Sequence, residues 1–414
     1  MRLLFLSPDF PSAVNPSACI FVQTQALELK RLGAEVEIHA PTPAVLPGMA
    51  RLKPAWRAYT QIPPHYEVEG VRVARPRYLA FPGENLWGWP HHFKALSLWA
   101  NPGHHYDLIH AHFAHPEGTL GLWLKRRWHK PLVITLHGDD ANTYPQQSPH
   151  YRHYFEQALN QADLILAVSE AIRQRTQPLT KRPIVTHRVG LRLPPLEQKP
   201  DKAALRAELG LPPDKFVLLF VGTLWKYKGV LELAEALRRL DDAEVLAVFI
   251  GEGPLRESLA STSRTGIRCL GQQPNPLVRA HMAAADAFIL PSYREGLPTV
   301  VVEAGAAGLP VIASMEGGTP ELINPQTGFP LEAISPEAIL KALAQLRNHP
   351  AEAIARARRL QAHVYQHYDA TQNARTLLGY YQRLIEGQTP VVAQISDATG
   401  LLPGQNPTHP KREP

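Results

Sequence analysis

Residues 290–308 read LPSYREGLPTVVVEAGAAG. The apolar run Ala287–Leu290 that leads into them predicts a buried strand, which gives out into a short polar turn. Glu295-Gly296-Leu297-Pro298 comes next, then a helix-compatible run as far as Gly308. Pro298 suits the first helical position, because its φ is preset and its missing N–H would be unpaired there in any case. Gly296 lets backbone approach a ligand, and Gly308 with Pro310 behind it closes the helix. The amides around Gly296, Leu297 and Thr299 therefore gather at a helix N-terminus, where unpaired donors and the helix dipole favour an anion.

Two carboxylates bracket that anion site, Glu295 in the turn and Glu303 in the helix, with seven residues between them. Eight positions make just over two helical turns, so both can face one cavity. A carboxylate repels phosphate but accepts hydrogen bonds from sugar hydroxyls. A phosphate cradle between two such acceptors suits a sugar joined through phosphate to a ribose. The plain alternative is a helix start carrying two solvated glutamates. The apolar strand and the glycine in the turn argue against it.

The stretch resembles the Glu-x7-Glu signature of retaining glycosyltransferases of family 4, within the context S-x-x-E-G-L-P followed by V-V-E-A. The resemblance implies an α/β protein of GT-B fold, two Rossmann-like domains facing across a cleft. It implies that Glu295 touches hydroxyls of a donor hexose and that Glu303 binds the donor ribose.

Toward the N-terminus, residues 2–6 predict a strand, 7–18 a proline-punctuated loop, 21–32 a helix stopped by Gly33, and 36–40 a second strand. This is a Rossmann-like opening, with its loop at the sheet edge where such folds bind ligands. In the resembled family this loop carries a glycine next to the donor diphosphate, and matching NPSACIF to N-P-x-x-G-x-F puts Cys19 at that place. Residues 41–105 are rich in Pro, Trp, His and Arg; 68–73 predict one strand, and 87–99 a short helix exposing aromatics and Lys94. Alternation then returns, with strands at 107–113, 132–136 and 164–168 and a helix at 117–127.

LHGDD, residues 136–140, ends one of these strands. Its histidine either projects into the crevice or merely caps the strand. The family motif H-G-x-D matches at His137 and Asp140, which implies that His137 faces the donor hexose while Asp140 orders the loop. In HAHFAHPEG, residues 110–118, His110 and His112 share a strand face that His115 could approach, imitating a metal site. No carboxylate–histidine framework demands a metal, so none is expected. Trp123, Lys125, Arg126, Arg127 and Trp128 form an aromatic-basic cluster that reads either as a membrane-interface face or as a solvated, partly packed one.

Past a proline-rich linker at 194–200, a second strand–loop–helix unit is predicted: strand Phe216–Val221, then GTLWKYKG at 222–229, then a helix from Val230. The family reads G-R-L-x-x-x-K-G here. Lys228 matches and is implied to grip the diphosphate. Thr223 stands where the arginine is usual and offers a hydroxyl without charge, which halves the positive charge unless Lys226 substitutes. Strand Val245–Ile250 leads to GEGP, where Gly251 allows ligand approach, and the absence of G-x-G-x-x-G disfavours a dinucleotide cofactor. Residues 267–270 and Gly271 fall where the family places the base. A strand at 311–313, the Gly317-Gly318 loop and Glu321 are expected to close the site's floor. Helical runs follow at 336–367 and 371–386.

A chain of 414 residues suggests two domains, and 44% hydrophobic with 19% charged residues is ordinary for a globular protein. Cys19 and Cys269 lie in no metal or redox spacing, which points to a reducing compartment without disulfides. No apolar run reaches the length of a membrane span, and a cytoplasmic protein is expected, peripheral at the inner membrane face if the aromatic-basic cluster binds lipid. The net charge of +6 is uneven: residues 1–195 carry 21 Lys/Arg against 14 Asp/Glu, the remainder 22 against 23. The first half therefore suits an anionic partner, a phosphorylated acceptor or an anionic membrane. No nucleic-acid module is recognisable.

The expected arrangement is an acceptor domain at 1–195, a nucleotide-sugar domain at 196–370, a helix at 371–386 packing back on the first domain, and a disordered tail at 387–414. The resemblance implies a retaining, metal-independent hexosyltransferase. Its donor is a UDP- or GDP-linked sugar and no cofactor is needed; its acceptor is a sugar or lipid-linked saccharide. SPDFPS, PPHYEVEGVRVARPRYL and TLHGDDAN resemble members that build bacterial exopolysaccharide or teichuronic acid. An epimerase of the same architecture, or a degenerate nucleotide-binding scaffold, are the rivals.

Overall fold

The computed structural model describes residues 1–16, 18–45, 56–79, 94, 105–196, 201–261 and 266–388. Its first sheet holds β1 (Arg2–Leu6), β2 (Glu35–His39), β3 (His65–Val68), β4 (Val71–Ala74), β5 (Leu108–His112), β6 (Leu132–Leu136), β7 (Leu164–Ala167) and β8 (Ile184–Thr186). They lie in the order β8-β7-β6-β5-β1-β2-β4-β3, all parallel except the β3–β4 pair. Every residue of β5 and β6 is buried, as continuous runs covered on both faces must be.

The second sheet is wholly parallel: β9 (Phe216–Val221), β10 (Val245–Ile250), β11 (Ile267–Cys269), β12 (Ala287–Leu290), β13 (Val311–Ser314) and β14 (Phe329–Leu331), in the order β11-β10-β9-β12-β13-β14. In both sheets the order reverses beside the first strand, which is where an open α/β sheet forms its ligand crevice.

The two domains are joined where the chain passes between them twice. Leu191 N–H donates to the Tyr368 carbonyl (2.8 Å), and Ala370 N–H donates to the Leu191 carbonyl (2.9 Å). Helix α1 (Ile20–Arg31) then receives the last described helix, α2 (Ala370–Ile385), against its face. Leu377 and Tyr381 of α2 are fully buried in the first domain's core, and Thr371 Oγ1 donates to Glu28 Oε2 (3.0 Å).

Several expectations need correction. Residues 68–73 are not one strand but the inner part of the β3–β4 hairpin. Glu69 (φ +47°) and Gly70 (φ +74°) make its two-residue turn, a conformation that glycine takes readily and glutamate rarely. The helix expected at 117–127 is Thr119–Trp128, because Ala114–Gly118 forms a wider turn first. Lys94 is not exposed: its Nζ lies 3.1 Å from the buried Glu117 carboxylate. The run 336–367 is two helices, broken where Pro350 lacks the N–H to continue. The rest of the helix expected at 87–99, part of the linker, and the tail beyond residue 388 fall outside the described residues.

The aromatic-basic cluster is partly packed. Trp128 is buried, Lys125 Nζ is 2.6 Å from Asp163, and Arg126 donates to Gln161 (2.6 Å). Among the described residues no helix is long and apolar enough to cross a membrane, and both cysteines are free.

Candidate active site

The fully buried strand β12 delivers residues 291–296 to the mouth of the cleft between the sheets. The turn is strapped to the loop after β9: Tyr293 N–H donates to the Tyr227 carbonyl (2.8 Å), and Ser292 Oγ donates to the same oxygen (3.2 Å). Gly229 permits this approach, since a Cβ there would lie 1.9 Å from the Pro291 carbonyl oxygen, and its φ of +68° is one L side chains avoid. The two loops thus present Lys228 to Glu295, with Nζ and Oε1 2.6 Å apart and both side chains mostly shielded from solvent. One ammonium proton is used there, which leaves two for another acceptor. Oε2 of Glu295 has no partner among the described residues.

Helix α3 of the site, inserted between β12 and β13, runs Thr299–Ala306. Pro298 is its N-cap, with ψ of 88°, rather than its first helical residue as expected. The N–H groups of Gly296, Leu297 and Thr299 have no partner among the described residues, so the anticipated donors are present. Glu303 lies half-buried, and its carboxyl has no hydrogen-bond or ion-pair partner among the described residues. Burial pushes its carboxyl above the ordinary range, and the charge of Arg279 opposes this.

Gly296 is not bare toward a ligand in the way the sequence suggests. A Cβ on it would meet the His137 carbonyl oxygen at 2.1 Å, so its missing side chain lets the two domains touch, backbone to backbone. Gly251 likewise (φ +146°) lies against the Gly222 carbonyl, where a Cβ would be 1.9 Å away. The Gly317-Gly318 loop does close on the site, with Gly318 N–H donating to the Gly296 carbonyl (2.7 Å). Glu321 is not in the floor. It reaches the first domain, where Oε1 accepts from Glu170 N–H (2.6 Å) and Oε2 from Arg188 Nε and Nη2 (3.0 and 2.7 Å).

From the first domain, β6 presents His137. Asp140 shapes its loop, with Oδ1 accepting from the His137 and Gly138 amides (3.2 and 3.0 Å) and Oδ2 from Ala114 N–H (3.1 Å). The His137 ring lies against Phe21 and Phe113 at 4.5 and 4.7 Å between centroids. Its Nε2 is 3.0 Å from His112 Nδ1, and burial lowers its pKa to about 3, so the imidazole is neutral at neutral pH. The histidine trio does not converge. His110 bonds Tyr381 and Thr135, and His115 bonds Thr119. Among the described residues no group of His, Cys, Asp and Glu is arranged to hold a metal ion.

Cys19 takes a left-handed φ of +45° at the cap of α1, the conformation a glycine would fill without strain. Burial pushes its thiol up to about 11. Thr223 is exposed and bonds the Tyr227 hydroxyl (3.2 Å). Three cleft residues escaped the sequence reasoning: Arg294, whose Nη1 donates to Thr143 Oγ1 (3.3 Å), Thr143 itself, and Asn142, whose Nδ2 reaches the Glu295 carbonyl (3.5 Å). A basic residue directly before Glu295 was the one available signal.

The sequence pattern of the glycosyl transferases group 1 matches residues 201–363, and that of Glycosyltransferase Family 4 matches residues 20–186. A Bacillus subtilis glycosyltransferase assigned to teichuronic acid biosynthesis is 34% identical over 387 residues, covering 92% of this chain and 98% of its own length. The chain belongs to glycosyltransferase family 4. The fold of this glycosyltransferase is also that of solved GT-B structures. Sucrose-phosphate synthase from Thermosynechococcus elongatus superposes with a TM-score of 0.78 at 20% identity, over 94% of this chain and 100% of its own. The Anabaena HepE protein, in complex with UDP and glucose, gives 0.69 at 20% identity, over 92% and 99%. In the glycosyltransferase, His137 and the 291–299 segment thus meet across the cleft from opposite domains.

Proposed function

We propose that this glycosyltransferase moves a hexose from a UDP- or GDP-linked donor to a hydroxyl of a saccharide acceptor, with retention at the anomeric carbon, in the synthesis of a cell-surface polysaccharide. The observation that carries this reading is the Lys228–Glu295 pair at 2.6 Å beside the unpaired amides of Gly296, Leu297 and Thr299. It sets an ammonium and a dipole next to a carboxylate with one oxygen to spare, which suits a sugar diphosphate. The name of the Bacillus relative supports the polysaccharide, and the UDP and glucose bound by HepE support the donor class.

In this reading the amides and Lys228 hold the diphosphate, with Thr223 adding a hydroxyl, while Gly251 lets the two loops beside it pack backbone to backbone. Glu295 accepts from hexose hydroxyls and Glu303 from the ribose. Leu297 and Pro298 shape the turn, and neutral His137 donates to the hexose. The bond from the anomeric carbon to phosphate breaks as the bond to the acceptor oxygen forms on the same face. The acceptor's proton passes to the departing phosphate oxygen. The fixed donors stabilise the charge that develops there, and closure keeps water from competing. No divalent ion is part of this scheme, and the excess of Lys and Arg in residues 1–195 suits a lipid-linked acceptor at an anionic membrane surface.

The test is to incubate the full chain with UDP- and GDP-hexoses and a panel of saccharide acceptors, with and without EDTA. The expected products are free nucleoside diphosphate and a glycoside of the donor's own anomeric configuration, formed equally with EDTA present. An inverted product would refute retention. Conversion of donor without acceptor would indicate an epimerase, and binding without transfer a scaffold.

A further inference from the structure

The loop after β9 carries Thr223 where two cations are needed to match a diphosphate, and Lys228 is already paired with Glu295. Lys226 is exposed at the same loop, but Arg294 has the better placement. Its guanidinium lies 5.1 Å from the centroid of the Tyr227 ring, and Lys228 Nζ lies 5.7 Å from that same centroid. The hydroxyl of Tyr227 bonds Thr223 Oγ1 at 3.2 Å, so one aromatic ring links the uncharged threonine to both cations. Arg294 has no carboxylate partner among the described residues. Among the described residues its guanidinium makes one hydrogen bond, across the cleft to Thr143 Oγ1 at 3.3 Å, a weak contact that leaves most of its donors open.

An unneutralised guanidinium on an aromatic face, at the mouth of an anion site, is placed for a phosphate. We infer that Arg294 supplies the second positive charge for the donor's diphosphate, replacing from the 290–308 segment the cation that Thr223 does not provide. The inference rests on the donor-site reading above. Tyr227 acts as the platform that holds the guanidinium flat, and Thr143 as the resting partner that the phosphate displaces.

The experiment measures binding of UDP, GDP and the phosphate-free nucleosides uridine and guanosine by calorimetry, at two salt concentrations. It uses wild type, Arg294→Ala, Arg294→Lys, and Arg294→Ala combined with Thr223→Arg, each checked for an unchanged thermal midpoint. Arg294→Ala is expected to weaken the bound diphosphate about tenfold or more and to flatten its salt dependence, with nucleoside binding unchanged. Thr223→Arg in the alanine background is expected to restore most of the loss, and lysine to retain part of it. Equal diphosphate binding by wild type and Arg294→Ala overturns the inference alone. So does an equal loss for nucleoside, or no rescue by Thr223→Arg. Failure of wild type to bind either diphosphate overturns the donor-site reading and the inference with it.

Discussion

At the residue scale, the proposed donor site turns on one contact between two loops, Lys228 to Glu295 at 2.6 Å. Neither group is spare. In the proposed site, removing the lysine takes away an ammonium for the diphosphate, and it leaves a shielded carboxylate without its cation. Removing the glutamate frees the lysine to swing and deletes the acceptor proposed for hexose hydroxyls. Lys228→Ala and Glu295→Ala are each expected to lower turnover by about 10²-fold or more, the scale of a lost preorganised contact. Steady-state assays with saturating donor measure this, and wild-type rates in both variants would remove the site from consideration. Glu295, Glu303, Lys228, His137 and Asp140, the residues of the proposed site, stand out in the sequence because they fall within the motifs of the resembled family, and the structure sets Lys228 against Glu295 and Asp140 under the His137 loop. Arg294, Thr143 and Asn142 were not legible, because their roles depend on which loop faces which across the cleft, and no local spacing encodes that.

At the scale of elements, strands that are buried on both sides announce themselves. FVLLFV and VLAVFI begin and end where their apolar runs do, and Val230 starts a helix after Gly229 as the sequence suggests. The hairpin at Glu69-Gly70 was missed because glutamate at positive φ is rare, so the turn was hidden inside an apparent strand. The two glycines expected to admit a ligand, Gly296 and Gly251, admit backbone instead, which only the tertiary fold decides. Helix α2 offers a clean test of an element that belongs by sequence to one domain and by packing to the other. Its Tyr381 hydroxyl lies 2.6 Å from Nδ1 of His110, in the centre of the first sheet. Tyr381→Phe keeps the ring and removes that bond, leaving a buried ring nitrogen unpaired. It is expected to cost about 1–3 kcal/mol, read as a lowered unfolding midpoint, with donor affinity unchanged. A midpoint equal to wild type would mean α2 is not held through this bond.

Across the whole molecule, five shielded histidines are held neutral at neutral pH. Burial lowers the pKa of His137 to about 3 and those of His187 and His363 to about 4, and pushes His110 and His112 well below their ordinary 6.5. Between pH 6.5 and about 4 the unfolded chain binds a proton at each of these sites and the folded chain does not. Stability therefore falls as pH falls through that window, by up to about 1.4 kcal/mol per pH unit for each group. Glu303 and Glu321, raised by burial, act in the opposite sense, but they are two carboxyls against five histidines. The thermal midpoint is expected to drop clearly from pH 7.5 to pH 5.5 at fixed ionic strength, and His187→Phe to flatten the drop. A level or rising midpoint on acidification would contradict the neutral histidines.

The same scale holds the tie between domains, and here the proposed donor site and an interdomain contact share a segment. Gly318 N–H holds the Gly296 carbonyl, and three residues on Glu321 holds Arg188 and the Glu170 amide of the other domain. Burial pushes the Glu321 carboxyl up even with the guanidinium against it, so the pair adds little net stability while intact. Breaking it is another matter, because Arg188 would remain buried with its charge. Glu321→Gln keeps an acceptor for the Glu170 amide and removes only the charge, and it is expected to destabilise by roughly 3 kcal/mol. Replacing both partners by apolar residues, Arg188→Met with Glu321→Leu, should recover part of that stability, since no charge is then stranded although the Glu170 amide loses its acceptor. It should not recover donor binding, because the 317–321 segment loses the anchor that fixes it against Gly296. Thermal midpoint and nucleoside diphosphate affinity, measured on the same three proteins, separate the two effects. If the apolar double variant binds donor as tightly as wild type, the pair serves packing alone and the domains need no anchor at Glu321 to hold the donor loop.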